Sequence, residues 1–182
     1  LALFTQRRPY LHSVGLQRFF TNKTHKKFCG SCGKPHALLL EECNFCGATL
    51  LDEHIDVTGR DPLVESILGG TTDGFSELSR SFHVLVLQHK FAVGRHHLLA
   101  VPKATCYDLR KLKRKQLLTV RKLKEIGMMC LRKKMLIPDA APDPMIMCGF
   151  SYPADYNQLH LHLVAPPFSH LSLFNSHVFY PY

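Results

Sequence analysis

The spacing of apolar residues predicts four short strands between residues 81 and 164. Runs rich in β-branched and other apolar residues predict strands over 81–88 and 97–102, and two further strands over 145–150 and 159–164. In the last of these, Gln158, His160 and His162 alternate with leucines. A strand has a period of two, so these three polar side chains are expected to share one face of a sheet.

The same pattern predicts two helices. Asp61-Pro62 supplies an N-cap and a first-turn proline for a short helix that Gly69-Gly70 ends. A long helix is predicted over 107–134, with lysines and arginines away from a buried stripe. The stripe consists of Leu109, Leu112, Val120, Leu123 and Leu131. The order of elements predicts an α+β fold, in which one long central helix crosses an antiparallel sheet.

The chain of 182 residues is long enough for one full domain and a small accessory module. We predict a basic tail (1–27), a zinc ribbon (28–50), a connector (51–61) and a main domain (62–182). No apolar run approaches the roughly 20 residues that a membrane-spanning helix needs, so no membrane span is expected.

Positive charge is concentrated in the predicted long helix. The formal net charge is +9, and the segment from Arg110 to Lys134 holds eleven Lys or Arg residues with Glu125 as its single acid. Such a stripe suits a phosphate backbone or an acidic partner, and the alternative is the solvated face of an amphipathic helix. The candidate RNA or partner contacts are Arg110, Lys111, Lys113, Arg114 and Lys115.

The residues before Glu41 contain no acid and are rich in basic, hydroxylated and aromatic side chains. Mitochondrial targeting segments have this composition, so residues 1–28 predict a location in the mitochondrial matrix. A basic tail without a core of its own needs a partner to order it. The tail is therefore either a retained targeting segment or a binding tail held by a large assembly.

Two matching CxxCG units predict a metal site. Cys29, Cys32, Cys43 and Cys46 offer four thiolates, with ten residues between the two units. Four thiolates complete a tetrahedral shell around one Zn²⁺ and leave no open position, so the predicted ion is structural. Metal binding would supply the folding energy of so small a module. Since four cysteines suffice, His36 between them is expected to be a bystander.

Two histidines one residue apart on a strand can simply pack at a sheet edge, but their surroundings favour another interpretation. The stretch CGFSYPADYNQLHLHLVAPPF (148–168) resembles the signature of the histidine-triad (HIT) superfamily, closest to its Hint and aprataxin-like branches. LQHKFAVGRHHLLAVPK (87–103) is similar to the first substrate-binding hairpin of that superfamily. The resemblance covers roughly residues 80–182.

The resemblance implies a nucleotide site. In the superfamily the middle histidine attacks the α-phosphorus of a nucleotide, so His160 would be the nucleophile. His162 would contact phosphate, and His97 would lie beside them. Neutral imidazole is a good nucleophile near pH 7. A bound nucleotide is therefore a possible ligand.

Three departures from the superfamily pattern predict that this site is degraded. Gln158 replaces the first histidine of the triad and cannot titrate. Asp155 stands where a serine normally meets phosphate, and a carboxylate there would repel the phosphate. His89 replaces the acid that holds the ribose hydroxyls.

The first hypothesis is therefore a HIT-fold structural or binding subunit of a mitochondrial assembly that contains RNA. The mitochondrial ribosome is the first candidate, and a respiratory or ATP-synthase complex is another. The alternative is a nucleoside phosphoramidate or adenylyl hydrolase that uses His160. A third hypothesis is an aprataxin-like role at nucleic-acid ends. The free protein could form a homodimer, as many relatives do.

Overall fold

The computed structural model describes residues 25–59, 61–70, 74–175 and 178–182. It confirms the α+β fold, with two antiparallel sheets and one long helix. The strands are β1 (His25–Phe28), β2 (Pro35–His36), β3 (Ile55–Val57), β4 (Ser76–Arg80), β5 (Val84–Gln88), β6 (Gly94–Pro102), β7 (Met147–Ser151), β8 (Leu161–Phe168) and β9 (Phe179–Pro181). The helices are α1 (Pro62–Ile67) and α2 (Leu117–Lys134). Most of the predicted tail lies outside the described residues.

The main sheet has six strands in the order β4-β5-β6-β8-β7-β9, all antiparallel. The four strands predicted from the sequence form its centre. The two edge strands, β4 and β9, were not predicted. β4 consists mostly of exposed polar residues, and β9 is only three residues long, so neither gives a clear strand pattern.

One face of this sheet is covered by α2. Leu123 and Leu131 of the helix join Leu98, Leu161 and Leu163 of the sheet in one fully buried aliphatic cluster. The helix lies close to the sheet at Gly127, where a Cβ atom would come within 2.7 Å of the Leu163 Cδ1 atom. This face therefore has the dense aliphatic packing of an ordinary core.

The opposite face is covered by α1 and by the loop before β8. Leu63 of α1 and Tyr156 of the loop pack against Leu85, Leu87 and Leu99. The side chain of Asp61 caps α1 by accepting from the backbone N–H groups of Leu63 and Val64, as the Asp-Pro signature predicts.

The long helix begins ten residues later than the predicted start at 107. Residues 107–116 instead form two 3₁₀ turns, Leu109–Lys111 and Arg114–Gln116. The Asp108 carboxylate accepts from the Lys111 N–H at 3.2 Å, and the Gln116 side chain accepts from the Lys113 N–H at 2.8 Å. These side-chain bonds compete with helical hydrogen bonds, which explains the difference.

Residues 25–57 form an N-terminal module, which we call the cysteine module, and it extends past both bounds predicted for the zinc ribbon. Its small sheet has the order β2-β1-β3, and β1 starts inside the predicted tail while β3 lies in the predicted connector. The pairing of His25 with Val57 brings the two ends of the module together. A unit of 23 residues has too little core of its own, so strands outside the cysteines complete it.

Among the described residues, no helix is both long enough and apolar enough to cross a membrane.

Candidate functional site: a buried histidine cluster beneath a cysteine centre

The four predicted zinc ligands converge on one point. The sulfur atoms of Cys29, Cys32, Cys43 and Cys46 all lie within 4.8 Å of one another. Cys29 Sγ lies 3.6 Å from Cys46 Sγ, and Cys32 Sγ lies 3.7 Å from Cys43 Sγ. A tetrahedral zinc ion at about 2.3 Å from each sulfur requires sulfur–sulfur distances of about 3.8 Å. The donor set therefore fits one structural zinc ion.

Backbone geometry prepares the second knuckle for a metal-bound thiolate. The N–H groups of Phe45 and Cys46 both donate to Cys43 Sγ at 3.4 Å. The turns of the two knuckles place Gly33 and Gly47 at φ values of 71° and 76°, which favour glycine. The glycine after each CxxC unit thus lets the chain fold back around the sulfurs.

Four histidines form the centre of the sheet face opposite α2. His89, His97, His160 and His162 have side chains that are 3 % exposed or less. His97 comes from β6 and His162 from β8, while His160 immediately precedes β8. The imidazole rings of His160 and His162 have centroids 4.9 Å apart, and those of His89 and His97 are stacked at 4.5 Å. The structure thus brings together all four histidines selected from the sequence.

Hydrogen bonds define the tautomers of two of these rings. The Val93 N–H donates to His97 Nδ1 at 3.2 Å, so the proton of His97 is on Nε2. His97 Nε2 then donates to His162 Nδ1 at 2.9 Å. His162 in turn carries its proton on Nε2, 3.2 Å from the Ser151 hydroxyl oxygen. This series of hydrogen bonds holds the rings of His97 and His162 in one orientation.

The other two histidines each leave one nitrogen without a partner. The Phe91 N–H donates to His89 Nδ1 at 2.8 Å, so His89 Nε2 is a donor. His160 Nδ1 donates to the Gln158 carbonyl oxygen at 2.8 Å, so His160 Nε2 carries a lone pair. Within the described part of the chain, neither Nε2 atom has a hydrogen-bond partner, and neither does the Tyr156 hydroxyl. His160 therefore has the tautomer that a nucleophile requires.

Burial keeps the cluster neutral. Loss of hydration lowers the pKa of His160, lowers the pKa values of His89 and His162 well below the usual range, and lowers that of His97 to about 3. The charge of Lys34, in the cysteine module, lowers all four pKa values further. The cysteine module therefore places the Lys34 cation within electrostatic range of all four histidines.

Tyr156 covers the histidines. It is 3 % exposed, and its ring meets the His160 ring edge-on at a centroid distance of 5.4 Å. Phe75 packs against both Tyr156 and His89 at about the same distance, 5.5 and 5.7 Å. Since these rings cover the cluster, His160 Nε2 has no contact with solvent.

Asp155 lies in the interface between the two modules. The sequence predicted a carboxylate facing the phosphate of a nucleotide, but its oxygens bond to residues of the cysteine module instead. Lys34 Nζ lies 2.9 Å from Asp155 Oδ2, Asn44 Nδ2 donates to the same oxygen at 3.0 Å, and His36 Nδ1 lies 3.2 Å from Oδ1. Asp155, Lys34, His36 and Asn44 are each 3 % exposed or less.

The electrostatics of Asp155 explain how a buried carboxylate stays charged. Burial by itself would raise its pKa, but the Lys34 charge and the hydrogen bonds from His36 and Asn44 hold the pKa well below the usual range. His36 is therefore not a bystander: its Nδ1 faces Asp155, and its Nε2 lies 3.2 Å from Cys43 Sγ. One imidazole joins the metal centre to the interface.

Gln158, which replaces the first histidine of the triad, points away from the cluster. Its Nε2 donates to the carbonyl oxygens of Pro102 and Ala104, at 2.6 and 2.8 Å, and its Oε1 accepts from the Cys106 N–H. The side chain therefore fastens the loop after β6 instead of contacting His160.

The five candidate RNA contacts lie on the two 3₁₀ turns before α2, not on the helix itself. All five side chains are exposed: Arg110, Lys111, Lys113, Arg114 and Lys115. Arg110 stacks over the Tyr152 ring at 4.8 Å, beside a cavity of about 470 Å³ that Tyr107 and Lys111 also line.

The sequence was compared with models of known protein families. The sequence model of the family described as scavenger mRNA decapping enzyme C-term binding matches residues 72–177, more than half of the chain. The chain belongs to this family. The matched span contains every strand of the main sheet except β9, together with the histidine cluster, and the resemblance recognised in the sequence is thereby confirmed.

Several solved structures to which the chain is similar are described as histidine-triad proteins or their relatives. A histidine triad protein from Clostridium difficile is 17% identical, with a TM-score of 0.49 over 60% of this chain and 94% of its own. A HIT family hydrolase from Legionella pneumophila is 12% identical, with a TM-score of 0.46 over 57% and 89%. The aprataxin ortholog from Schizosaccharomyces pombe is 17% identical, with a TM-score of 0.42 over 63% and 61%. No curated protein sequence matches the chain significantly.

The family match begins after the cysteine module, and the residues that sequence reasoning missed lie in both modules. Lys34 and Asn44 were not selected, because a lysine after a knuckle and an asparagine inside one are common surface residues. Tyr156 and Ser151 were missed for a similar reason. The spacing of residues along the chain carries no signal for a contact between two modules.

Proposed function

We propose that this chain is a structural and binding subunit of an RNA-containing mitochondrial assembly, with the mitochondrial ribosome as the first candidate. In this proposal the histidine site is closed and degraded, and the protein acts through its surface. The observation that carries it is the complete burial of the histidine cluster, with both oxygens of Asp155 bonded to the cysteine module.

The closure argues against turnover on a nucleotide. A substrate phosphate would have to displace Tyr156 to reach His160 Nε2, which is buried and has no contact with solvent. The Gln158 side chain does not contact His160, because its amide is bonded to the loop after β6. His89 offers a ribose no carboxylate.

The exposed basic turns support RNA as the partner. Five cations project from residues 110–115, and Asp108, 3.9 Å from Arg110, is the acid that pairs with one of them. Concentrated positive charge of this kind attracts a phosphate backbone whatever its sequence. The matrix location rests on the composition of residues 1–28, most of which lie outside the described residues.

A binding experiment tests the RNA contact. Full-chain protein carrying Lys113→Gln and Arg114→Gln is compared with the wild type for binding to a structured RNA over a range of salt concentrations. The double variant should bind more weakly, and the slope of log affinity against log salt should fall by about one unit for each phosphate that the protein no longer neutralises.

Arg95→Gln with Lys133→Gln is the matched control, because it removes the same charge from exposed positions elsewhere. Equal reductions in RNA affinity for the two double variants would indicate that residues 110–115 form a solvated surface without a specific partner. For the assembly itself, tagged protein should enter mitochondria and sediment in a large, RNase-sensitive particle. A small, RNase-resistant species would contradict the proposal.

A second candidate is a histidine-triad hydrolase, and the tautomer of His160 favours it. A lone pair on Nε2, set by the bond from Nδ1 to the Gln158 carbonyl oxygen, is what attack on phosphorus requires. The family description adds mRNA decapping as a chemistry to test. In this case Tyr156 would have to move aside during each cycle.

Hydrolysis assays separate the two candidates. Purified protein is given an adenosine phosphoramidate and a capped dinucleotide, with His160→Ala as the control. We expect no turnover above that of the control. Turnover that disappears in His160→Ala would replace the structural proposal with the hydrolase.

A further inference from the structure

Three donors of the cysteine module surround the Asp155 carboxylate. Lys34 Nζ, His36 Nδ1 and Asn44 Nδ2 reach its oxygens at 2.9 to 3.2 Å, and all three side chains are buried. The Asn44 amide is oriented by Lys34 Nζ, which also donates to Asn44 Oδ1. We call these three residues the anion cradle.

The anion cradle presents only donors to its occupant. An ammonium group and an amide nitrogen have no lone pair to offer, so the site suits an acceptor-only group such as a carboxylate or a phosphate. The occupant comes from the main domain, more than 100 positions away in the chain. The cradle is thus a preformed oxyanion site filled by an internal carboxylate.

The filled cradle and the covered histidines belong to one closed state. Asp155 and Tyr156 are adjacent in one loop, so an Asp155 that left the cradle would take Tyr156 with it. The Lys34 charge already lies close enough to lower the pKa values of all four histidines. Asp155 immediately precedes Tyr156, whose ring meets the His160 ring at a centroid distance of 5.4 Å, so an oxyanion in the cradle would lie in the same region as His160.

We propose that the anion cradle is a phosphate-binding site, which Asp155 occupies as an intramolecular competitor and which a phosphate-bearing ligand fills when the loop swings out. The inference rests on the closed site proposed above and names the ligand class that would open it. Lys34 supplies the charge, and His36 and Asn44 supply the remaining donors.

The cradle depends on the metal centre for its shape. His36 and Asn44 both lie between the first and the last cysteine of the site, and His36 Nε2 lies 3.2 Å from Cys43 Sγ. Release of zinc would separate the donors from one another. Phosphate binding should therefore require zinc even though no cysteine contacts the anion.

The test uses the full zinc-loaded chain and inorganic phosphate as the probe. Asp155→Ala should leave the cradle vacant, so phosphate should raise its thermal unfolding midpoint and bind at least about tenfold more tightly than to the wild type. Adding Lys34→Met should abolish that gain. Zinc chelation should abolish it as well.

Asp143→Ala is the matched control, because Asp143 also pairs with a cation, Arg132, but on the surface. If Asp155→Ala fails to fold, Asp155→Ser, which also removes the carboxylate and leaves space in the cradle, takes its place with the same expectations. If Asp155→Ala binds phosphate equally well with and without the added Lys34→Met substitution, the anion cradle is not a phosphate-binding site.

Chemical modification of His160 by diethylpyrocarbonate, read by mass spectrometry, separates this inference from the proposed function. His160 should be protected in the wild type and reactive in Asp155→Ala. Reactivity in the wild type would contradict the closed site on which the proposed function rests. Protection of His160 in both proteins would contradict the proposed loop movement but would agree with the closed histidine site.

Discussion

The two faces of the main sheet are buried to the same degree by different chemistry. The face under α2 is aliphatic, and leucine, valine and alanine side chains pack directly against the helix. The opposite face, which α1, the loop before β8 and Phe45 of the cysteine module cover, holds four histidines, whose ring nitrogens must each find a partner or stay unsatisfied. Covering aliphatic side chains is favourable by itself, whereas covering imidazoles costs free energy unless their hydrogen bonds are replaced.

This difference explains why the covers are attached differently. The helix α2 is held by apolar contact with β5, β6 and β8. The cysteine module is held by a buried ion pair, Lys34 with Asp155, and by Phe45, which packs with Val93 and Leu173 beside the cluster. We therefore expect the second cover to be the one that responds to metal, acid and anions.

The largest expected effect is the loss of the metal-dependent cover. Cys43→Ser should abolish zinc binding and unfold residues 25–57, because structural zinc supplies on the order of 10 kcal/mol in such modules. Metal analysis and hydrogen exchange would show the change, and the main sheet should keep its protection under α2. Cys130→Ser, outside the site, is the control. Unfolding of both sheets together would show that the two covers are not independent.

Acid should destabilise the histidine face specifically. Because burial depresses their folded pKa values, the four histidines stay neutral in the native state while the unfolded chain takes up protons below about pH 6.5. Stability is therefore complete above that pH and is lost as the pH falls. Well below that pH each of His89, His97 and His162 can contribute about 1.4 kcal/mol per pH unit, and the three together about 4 kcal/mol per pH unit.

His89→Phe isolates one of these contributions. Denaturant unfolding between pH 7 and pH 5 should show an average slope about 1 kcal/mol per pH unit smaller than in the wild type, because the unfolded-state histidine titrates within this range. Contributions to the slope that the two proteins share cancel in this comparison, so their difference reports His89. His83→Gln, at an exposed position, should leave the slope unchanged. A slope for His89→Phe equal to that of the wild type would contradict the neutral buried cluster.

The aliphatic face should show a cavity effect without pH dependence. Leu163→Ala removes a fully buried side chain beneath Gly127 of α2 and should lower the free energy of unfolding by about 3 kcal/mol. The loss should be the same at pH 7 and pH 5. Leu118→Ala, at an exposed position of the same helix, should change the stability by less than about 0.5 kcal/mol. A pH-dependent loss in Leu163→Ala would mean that the two faces are coupled.

The smallest effect concerns the end of α2. Leu136 has a φ of 57°, in the left-handed region that favours glycine, and its side chain is 89 % exposed. Leu136→Gly should relieve that strain and stabilise the chain by about 1 kcal/mol. Thermal unfolding would measure it, with Leu118→Gly as a control that should destabilise by a similar amount. A loss of stability in Leu136→Gly would show that the leucine packs against something in solution.

The sequence alone determined the features that depend on local spacing. The two CxxCG units predicted the four ligands, and alternation around His160 and His162 predicted the face that they share. The Asp-Pro and Gly-Gly signals predicted α1 to within a residue of its end. Each of these follows from the period of a strand, the reach of a knuckle or a capping bond, and all act within a few residues.

The closure of the site depends on contacts between distant parts of the chain. Asp155 was expected to face a phosphate, but it bonds to His36, 119 positions earlier in the chain. The start of α2 also differed, since the side chains of Asp108 and Gln116 bond to the backbone before the helix begins. The tertiary fold selects the partner of a buried charge, because any donor that packing brings within about 3 Å can satisfy it. No periodicity in the sequence records which donor that will be.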